Sequence, residues 1–273
     1  MPLADHFDGF LVDLDGVVWI GREPVPGAPQ ALRELLESGK GIVFVTNNPG
    51  KPPAAYAERL GELGVEIGSG QIVTAGMVAA RLAGEAVGEG GSAFVIGAPA
   101  LKEMVAATGA ALLEGEAAWE ADAVVVSGHR GFDYDELLAA KRALDAGAAL
   151  VATSHDPTMP YPGGELPGTG SILAAVETAS GRRAEIAGKP ERHLFEMAIE
   201  SLRGSLVVQE PTKEPRNLKL AMVGDRISSD IAGGHAAGLE TILVLSGTTS
   251  REEAEAADPV PDHVVDSLSD LLA

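Results

Sequence analysis

Residues 9–17 read Gly-Phe-Leu-Val-Asp-Leu-Asp-Gly-Val, a short apolar run that ends in two acidic residues. A continuous apolar run of this length is typical of a parallel strand covered on both faces. The runs predict strands at 10–12, 42–45, 93–96, 123–126, 149–152, 220–223 and 241–245. Helical spacing of apolar residues predicts helices at 28–37, 53–63 and 134–146. This alternation predicts an α/β fold in which right-handed crossovers join parallel strands.

The composition excludes several classes of function. The chain has 273 residues, with 20 Lys and Arg against 40 Asp and Glu, for a formal charge of −20. A nucleic-acid partner or an anionic membrane would need a basic face, and an anionic substrate would need a local cation. The chain has no cysteine, which excludes disulfides and thiolate chemistry. Nothing reads as a signal peptide or a membrane span, so the expected location is the cytoplasm.

Acidic residues follow the first predicted strand, where an open parallel sheet binds its ligands. Asp13 and Asp15 stand two positions apart, where two like charges are costly without a partner and raise the pKa of one of them. The pair suits a divalent metal with acid–base chemistry. Asp13 would be nucleophile and metal ligand, while Asp15 would protonate a leaving oxygen and then deprotonate water. The alternatives are a plain Asp-Gly turn and a calcium loop, although a calcium loop needs an oxygen ligand where Val17 stands.

Two further motifs can bind phosphate. Thr46 and Asn47 follow the second predicted strand, and their polar groups, next to a helix N-terminus, can cradle phosphate oxygens. For the tripeptide Thr46-Asn47-Asn48 taken alone, a turn or a helix N-cap is the more common interpretation. Lys189 precedes a proline at a predicted helix start and can neutralise a phosphate and the nucleophile. The alternative is a helix start without chemistry.

A second acidic pair, Asp225 and Asp230, follows the strand at 220–223. Because Mg²⁺ favours a few carboxylates with waters and a substrate phosphate, this pair would complete a magnesium site. A surface turn is the alternative for this motif. Each of the four motifs is weak alone. Their order along one chain, each after a predicted strand, favours a joint functional site over coincidence.

The four motifs resemble those of the haloacid dehalogenase superfamily of phosphohydrolases. The closer resemblance is to the branch with NagD, p-nitrophenylphosphatase, phosphoglycolate phosphatase and glycerol-phosphate phosphatase. It rests on residues 44–48, 167–171 and 188–190 and on the tail after residue 247. The resemblance implies a Rossmann-like core with a parallel sheet at 1–79 and 187–273. It also implies a large α/β cap domain inserted at 80–186.

The resemblance further implies roles for single residues. Asp13 would form an aspartyl-phosphate, and Asp15 would be the acid and base. Thr46 and Lys189 would hold the phosphoryl group, to which Asn47 would add a backbone N–H.

The implied cofactor is Mg²⁺, bound by the Asp13 carboxylate, the Asp15 carbonyl and Asp225, with Asp230 assisting. The implied activity is hydrolysis of a small phosphomonoester such as glycerol phosphate, phosphoglycolate, a sugar phosphate or a nucleotide.

The implied cap supplies the candidates for substrate selection and for self-association. Ser154, His155 and Asp156 are the candidate substrate-binding residues of its loop, in which relatives usually have Asn at the position of Ser154. The helix at 134–146 is either structural or the face of a homodimer. The segment 209–217, with two prolines and mixed charge, is predicted to be a surface excursion.

Other functions remain open on sequence grounds. A phospho-acceptor signalling module shares the acidic pocket, the hydroxyl and the lysine, but it lacks a cap and an acid–base residue two positions after the nucleophile. A dehalogenase has no use for Asp15 as a leaving-group acid. A catalytically silent binding protein is a further alternative, but all the motif side chains are present, so the loss of activity would need a defect outside these motifs.

Overall fold

The computed structural model describes residues 1–161, 164–209 and 218–273. The predicted excursion therefore lies outside the described residues from 210 onward. The described chain forms two compact units. The first unit comprises Met1–Thr46, Pro53–Val73 and Lys189–Ala273, and the second unit comprises Asn47–Pro52 and Thr74–Gly188.

The elements follow the predicted alternation. The strands are β1 (Gly9–Asp13), β2 (Trp19–Ile20), β3 (Glu23–Pro24), β4 (Gly41–Thr46), β5 (Ile72–Thr74), β6 (Ser92–Ile96), β7 (Ala111–Leu112), β8 (Ala123–Val126), β9 (Ala149–Ala152), β10 (Thr158–Tyr161), β11 (Gly164–Pro167), β12 (Glu185–Ile186), β13 (Leu220–Gly224), β14 (Glu240–Val244) and β15 (His263–Val265). The helices are α1 (Ala28–Glu37), α2 (Pro53–Glu62), α3 (Ala75–Val87), α4 (Pro99–Ala106), α5 (Tyr134–Ala146), α6 (Thr169–Ser180), α7 (Arg192–Gln209), α8 (Ala232–Ala236) and α9 (Arg251–Glu255).

The described part of the first unit is built on a six-stranded sheet in the order β15-β14-β13-β1-β4-β5. Parallel pairs join β1 to both β13 and β4, and β14 to both β13 and β15. Every residue of β1, β4 and β13 is buried, as expected for strands covered on both faces. The central position of β1 places its carboxyl end between those of β4 and β13.

Helix α1 shows how the sequence sets local structure in this unit. It begins after Gly27, with a proline in its first turn, and it is followed by Gly39 in the left-handed region at φ +80°. The buried residues Leu32 and Leu35 lie on one face of the helix and pack into the apolar core. The predicted bounds of this helix and the observed bounds are the same.

The second unit has its own parallel sheet, in the order β12-β9-β8-β6-β7 among the described residues. Strands β10 and β11 form an antiparallel hairpin in the stretch between β9 and α6. The Gly, Glu and Ala content of residues 84–92 predicts a connecting segment between elements. Helix α3 continues to Val87, so this prediction is wrong over its first four residues, of which Glu85, Ala86 and Val87 are compatible with a helix.

Across the described residues, no helix is both long enough and apolar enough to cross a lipid bilayer.

Candidate active site

The register of the first sheet brings three of the predicted motifs to one edge. Asp13 is the last residue of β1 and lies beside Val45, so Thr46 comes one position beyond it on β4. Val12 lies beside Val223 of β13, so Asp225 begins just past the same edge. Parallel strands end on the same side of a sheet, and the motifs converge for that reason.

Lys189 connects two of the predicted site carboxylates, those of Asp13 and Asp230. Its Nζ donates to Asp13 Oδ1 at 2.7 Å and to Asp230 Oδ1 at 2.6 Å. All three residues are buried, and Asp230 is fully inaccessible. A charged pair of this kind is stable in the interior only when its geometry is good and its remaining polar atoms are satisfied.

The carboxylates outnumber the lysine. One carboxylate oxygen each from Asp13, Asp225 and Asp230 can be chosen so that all three lie within 4.8 Å of one another. Burial raises the pKa of Asp13 well above its ordinary value, Lys189 opposes this shift, and the charges of Asp230 and Asp225 add to it. Burial and then the charge of Asp230 also raise the pKa of Asp225. The carboxylates of the cluster therefore outweigh the positive charge of Lys189.

Lys189 stays protonated in this setting. Burial alone lowers the pKa of its ammonium, but the charges of Asp13 and Asp230 outweigh burial and hold the pKa above its ordinary value. In the part of the chain that the structure describes, the Lys189 ammonium thus faces three carboxylates, and a divalent cation would balance the remaining charge.

Among the described residues, one carboxylate oxygen of Asp225 has no hydrogen-bond partner. Its Oδ2 accepts from the Thr248 N–H at 2.7 Å, and its carbonyl accepts from the Thr249 hydroxyl at 2.6 Å. Its Oδ1 is buried and makes no hydrogen bond with the described residues. A buried, unsatisfied carboxylate oxygen is costly unless a cation binds it. Hard oxygen ligands of this kind fit Mg²⁺.

Glycines make room for the Asp225 carboxylate. Gly16 has φ +91°, and a Cβ there would lie 2.6 Å from Asp225 Cγ. A Cβ on Gly247 would also collide with this carboxylate. The Gly16 that follows Asp15 in the first motif is thus needed both for the turn and for the approach of Asp225.

Asp230 is held by a π-helical turn, Ile227–Ile231. Its Oδ2 accepts from the backbone N–H of Arg226 at 3.0 Å, while Oδ1 accepts from Lys189. A π-turn inserted before a helix often marks a functional position. Here it orients a buried carboxylate toward the lysine.

Asp15 is exposed at the same edge and has a tryptophan as its partner. The indole N–H of Trp19 donates to Asp15 Oδ1 at 3.0 Å. Trp19 itself is only 1% exposed. None of the sequence motifs predicts this role for Trp19, whose sequence signal is only its position four residues after Asp15.

Helix α2 brings two more residues to this region, Arg59 and Tyr56, which none of the sequence motifs includes. The guanidinium carbon of Arg59 lies 3.9 Å from the centroid of the Trp19 ring, and an Arg59 N–H donates to the Gly21 carbonyl at 2.6 Å. Tyr56 lies one helical turn earlier and is buried. Burial and then the charge of Asp15 raise the pKa of the Tyr56 phenol. Thr46 is also buried, at the end of β4.

The remaining predicted residues belong to the second unit. Ser154, His155 and Asp156 follow β9, and Ser154 is buried whereas His155 is exposed. The side-chain amide of Asn47 donates to Asp156 Oδ2 at 3.3 Å within that unit. The amide oxygen of Asn47 also lies where a Cβ on Gly188 would clash. Asn47 is thus joined to the loop after β9, a link that its sequence position next to Thr46 did not suggest.

Comparison with known proteins places this geometry in a family. A model described as haloacid dehalogenase-like hydrolase matches residues 10–111, and one described as HAD-hydrolase-like matches residues 186–271. Mouse (Mus musculus) chronophin is 37% identical over an alignment 279 positions long, which covers 97% of this chain and 91% of that protein. Human (Homo sapiens) glycerol-3-phosphate phosphatase is 38% identical over an alignment 307 positions long, which covers 99% of this chain and 91% of that protein.

A solved structure has the same fold over the whole chain. The glycerol phosphate phosphatase of Mycobacterium tuberculosis, solved in complex with magnesium, aligns with a TM-score of 0.84 and 34% identity. The alignment covers 100% of this chain and 78% of that one. The predicted α/β fold, the predicted resemblance and the predicted class of phosphatase are therefore confirmed, and the predicted magnesium cofactor agrees with this neighbour and with the carboxylate cluster. The chain belongs to the haloacid dehalogenase-like hydrolase family.

Proposed function

We propose that this chain is a Mg²⁺-dependent phosphatase that hydrolyses small phosphomonoesters through an aspartyl-phosphate on Asp13. The observation that carries the proposal is the buried cluster in which Lys189 bridges Asp13 and Asp230, while Asp225 has an oxygen without a hydrogen-bond partner in the described part of the chain. Three carboxylates around one lysine suit phosphoryl transfer, which depends mainly on positioning and on neutralising charge.

In the first step, the Asp13 carboxylate attacks phosphorus and forms the aspartyl-phosphate. Asp15 donates a proton to the leaving oxygen, so that the product departs as a neutral alcohol. Lys189 and the Thr46 hydroxyl hold the phosphoryl oxygens, and Lys189 supplies the local cation that an acidic chain needs to attract an anion.

In the second step, Asp15 takes a proton from water, and the water oxygen attacks phosphorus. The bond to Asp13 breaks, inorganic phosphate leaves, and the carboxylate is restored. One residue can serve both steps because the proton that it gave up in the first is regained in the second.

The metal-binding residues are Asp13, Asp225 and Asp230, with the carbonyl of Asp15 as a further ligand. Bound there, Mg²⁺ would neutralise the carboxylates and the developing charge on the phosphoryl group. The unsatisfied Oδ1 of Asp225 supports this assignment, because its burial is costly without a cation.

The substrate is a small alkyl phosphate, with glycerol phosphate as the first candidate. Two of the related proteins described above are named as phosphatases of glycerol phosphate. Phosphoglycolate, sugar phosphates and nucleotides are the other candidates.

Residues 80–186 form a cap that selects among these substrates. Ser154, His155 and Asp156 are its substrate-selecting residues, and the hydrogen bond from Asn47 orients Asp156. Replacement of His155 by alanine should change the order of kcat/KM values across a substrate panel. An unchanged order in the His155 and Asp156 variants would remove this loop from the proposal.

Two copies of the chain pair through the outer face of α5. Its first residue, Tyr134, is 78% exposed, whereas Ala140 and Leu144 face the core of the second unit. Sedimentation of the wild type and of Tyr134→Asp tests this pairing, and a wild-type monomer would contradict it.

The cytoplasmic location stays a prediction that cell fractionation can test.

The function itself is tested by phosphate release from a panel of phosphomonoesters. The panel contains glycerol phosphate, phosphoglycolate, pyridoxal phosphate, nucleotides, sugar phosphates and p-nitrophenyl phosphate. Wild type and Asp13→Asn are compared in Mg²⁺ and in EDTA, with the exposed-residue variant Asp5→Asn as a matched control.

We expect release only in Mg²⁺, from wild type and Asp5→Asn but not from Asp13→Asn. Mg²⁺-dependent release by Asp13→Asn would contradict the assigned nucleophile. A stable aspartyl-phosphate without turnover would favour a phospho-acceptor role. Phosphate or Mg²⁺ binding with neither release nor an aspartyl-phosphate would favour a catalytically silent binding protein.

A further inference from the structure

Trp19 offers Asp15 a donor that cannot easily move. The indole is buried in the core of the first unit, while the Asp15 carboxylate to which it donates is exposed. The backbone reinforces this arrangement, since the N–H of Gly16 donates to the carbonyl of Trp19 at 2.7 Å. The turn and the indole N–H therefore fix Asp15 from two sides.

Arg59 holds the indole from the other direction. Its guanidinium stacks 3.9 Å from the Trp19 ring centroid and also binds the carbonyl of Gly21, in the turn between β2 and β3. A cation over an indole face and a hydrogen bond to the turn restrict both the ring and the hairpin. Helix α2 thus reaches Asp15 through Trp19.

We infer that Trp19 and Arg59 are positioning residues for Asp15, holding Oδ1 so that the acid–base residue presents Oδ2 to the leaving oxygen. The inference rests on the proposed function, because it concerns the proton that Asp15 gives to the departing alcohol. A carboxyl group held in one orientation transfers its proton faster than a freely rotating one, because general acid catalysis depends on the geometry at the reacting atoms.

The test uses the chemistry of the leaving group. An alkoxide such as that of glycerol leaves poorly unless it is protonated, whereas p-nitrophenolate leaves readily as an anion. The kcat/KM value reports the steps through the first irreversible one, here transfer to Asp13. A misplaced Asp15 should therefore lower kcat/KM for glycerol phosphate much more than for p-nitrophenyl phosphate.

The main variant is Trp19→Phe, which removes the indole N–H but keeps an aromatic ring in the core. We expect kcat/KM to fall about tenfold for glycerol phosphate and less than about threefold for p-nitrophenyl phosphate. The matched control is Trp119→Phe, which alters the other tryptophan, stacked with Arg142 in the second unit. This control should leave both values unchanged.

A second pair of variants keeps the test informative where Trp19→Phe fails to fold. Arg59→Met removes the stacked cation. Like Trp19→Phe, it should lower kcat/KM more for glycerol phosphate than for p-nitrophenyl phosphate. Arg59→Lys should recover part of the loss, because an ammonium can also stack on the indole. Arg33→Met is the control, since Arg33 also binds a backbone carbonyl, that of Leu63, at 3.0 Å.

The outcomes separate the inference from the proposed function. Equal losses for both substrates would overturn the inference, because they would indicate a structural role only. Unchanged kcat/KM for glycerol phosphate in Trp19→Phe and Arg59→Met would overturn it as well. A wild type that releases phosphate from neither substrate would instead overturn the proposed function, and the inference with it.

Discussion

Lys189 Nζ lies 2.7 Å from Asp13 Oδ1, although 176 positions of sequence separate the two residues. The contact joins the end of β1 to the loop before α7 within the first unit. Both groups are buried, so the pair depends on its own geometry and on Asp230 rather than on water. The consequences can be tested by changes on either side of the pair.

Replacement of Lys189 by methionine should destabilise the metal-free protein. The change leaves Asp13 and Asp230 buried without a cation, which typically costs about 3 to 5 kcal/mol. Denaturant unfolding in EDTA measures the loss, and Mg²⁺ should restore part of it by supplying positive charge. The control is Lys141→Met, which removes an exposed pair with Asp145 worth less than about 1 kcal/mol. Equal stability of the Lys189 variant and the wild type would contradict the structural role.

Replacement of Asp13 by asparagine should remove turnover without unfolding the protein. The amide retains the shape of the side chain but cannot attack phosphorus, so we expect kcat to fall at least about a thousandfold. In EDTA the variant should unfold at the same denaturant concentration as the wild type or a higher one, because one of three crowded buried carboxylates is neutral. A lower midpoint would show that the pair with Lys189 outweighs the crowding.

Addition of Mg²⁺ should stabilise the wild type, and Asp225→Asn should weaken this effect. A ligand that binds only the folded state raises the unfolding free energy, by about 2.7 kcal/mol at a hundredfold excess over Kd. Thermal unfolding across a Mg²⁺ titration measures the shift, and Asp5→Asn should behave as the wild type. A shift that is equal in wild type and Asp225→Asn would remove Asp225 from the metal site.

The stability of the metal-free protein should depend on pH in a way that Asp13→Asn reduces. The pKa values of Asp13 and Asp225 are raised in the folded protein above their ordinary value of 3.8. Between that value and the raised pKa, the folded state binds more protons than the unfolded state. Their contribution is therefore fully present below pH 3.8 and is lost as pH rises through the folded pKa.

The measurement is the unfolding free energy of wild type and Asp13→Asn in EDTA, from about pH 4 to about pH 8. The wild type should lose stability relative to the variant as pH rises, and saturating Mg²⁺ should reduce the difference. Parallel pH curves for the two proteins in EDTA would contradict the raised pKa of Asp13.

Replacement of Gly16 by alanine should weaken Mg²⁺ binding at the proposed metal site, in addition to lowering the stability of the fold. Its positive φ costs about 1 to 2 kcal/mol for any residue with a Cβ. Its Cβ would also run into the Asp225 carboxylate. Gly39→Ala is the matched control, because Gly39 has φ +80° and no atom of the described residues lies within 4 Å of its Cβ position. Only Gly16→Ala should lose Mg²⁺-dependent stabilisation, and equal Mg²⁺ responses in the two variants would contradict the contact.

Much of the fold could be predicted because its signals are local. The runs at 42–45 and 123–126 are strands of the two sheets, since a continuous apolar run is buried wherever it lies. The helix predicted at 53–63 ends one residue earlier, at Glu62. Short strands such as β5 and β15 were missed, because three residues are too few for a period to be read.

The candidate site was predictable as a set of residues but not as an arrangement. Asp13, Thr46 and Asp225 could be named because each follows a strand, and parallel strands end at one edge. The link from Asn47 to Asp156 could not be named, because it depends on how the chain after β4 meets the loop after β9 in the second unit. The contact of Trp19 with Asp15 could not be predicted either, because a tryptophan in an apolar stretch is typical of a core residue.

The sequence by itself determined the alternation of strands and helices and the residues that end the strands. It also determined the excess of negative charge, because of which an anionic substrate needs a local cation such as Lys189. These are properties of neighbouring residues, and periodicity and charge express them directly. Only the tertiary structure decided that Lys189 contacts both Asp13 and Asp230, and that an indole N–H holds Asp15. It also decided that one buried oxygen of Asp225 has no hydrogen-bond partner within residues 1–161, 164–209 and 218–273. Those contacts depend on distances and directions set by the packing of segments around one sheet edge, which no local pattern encodes.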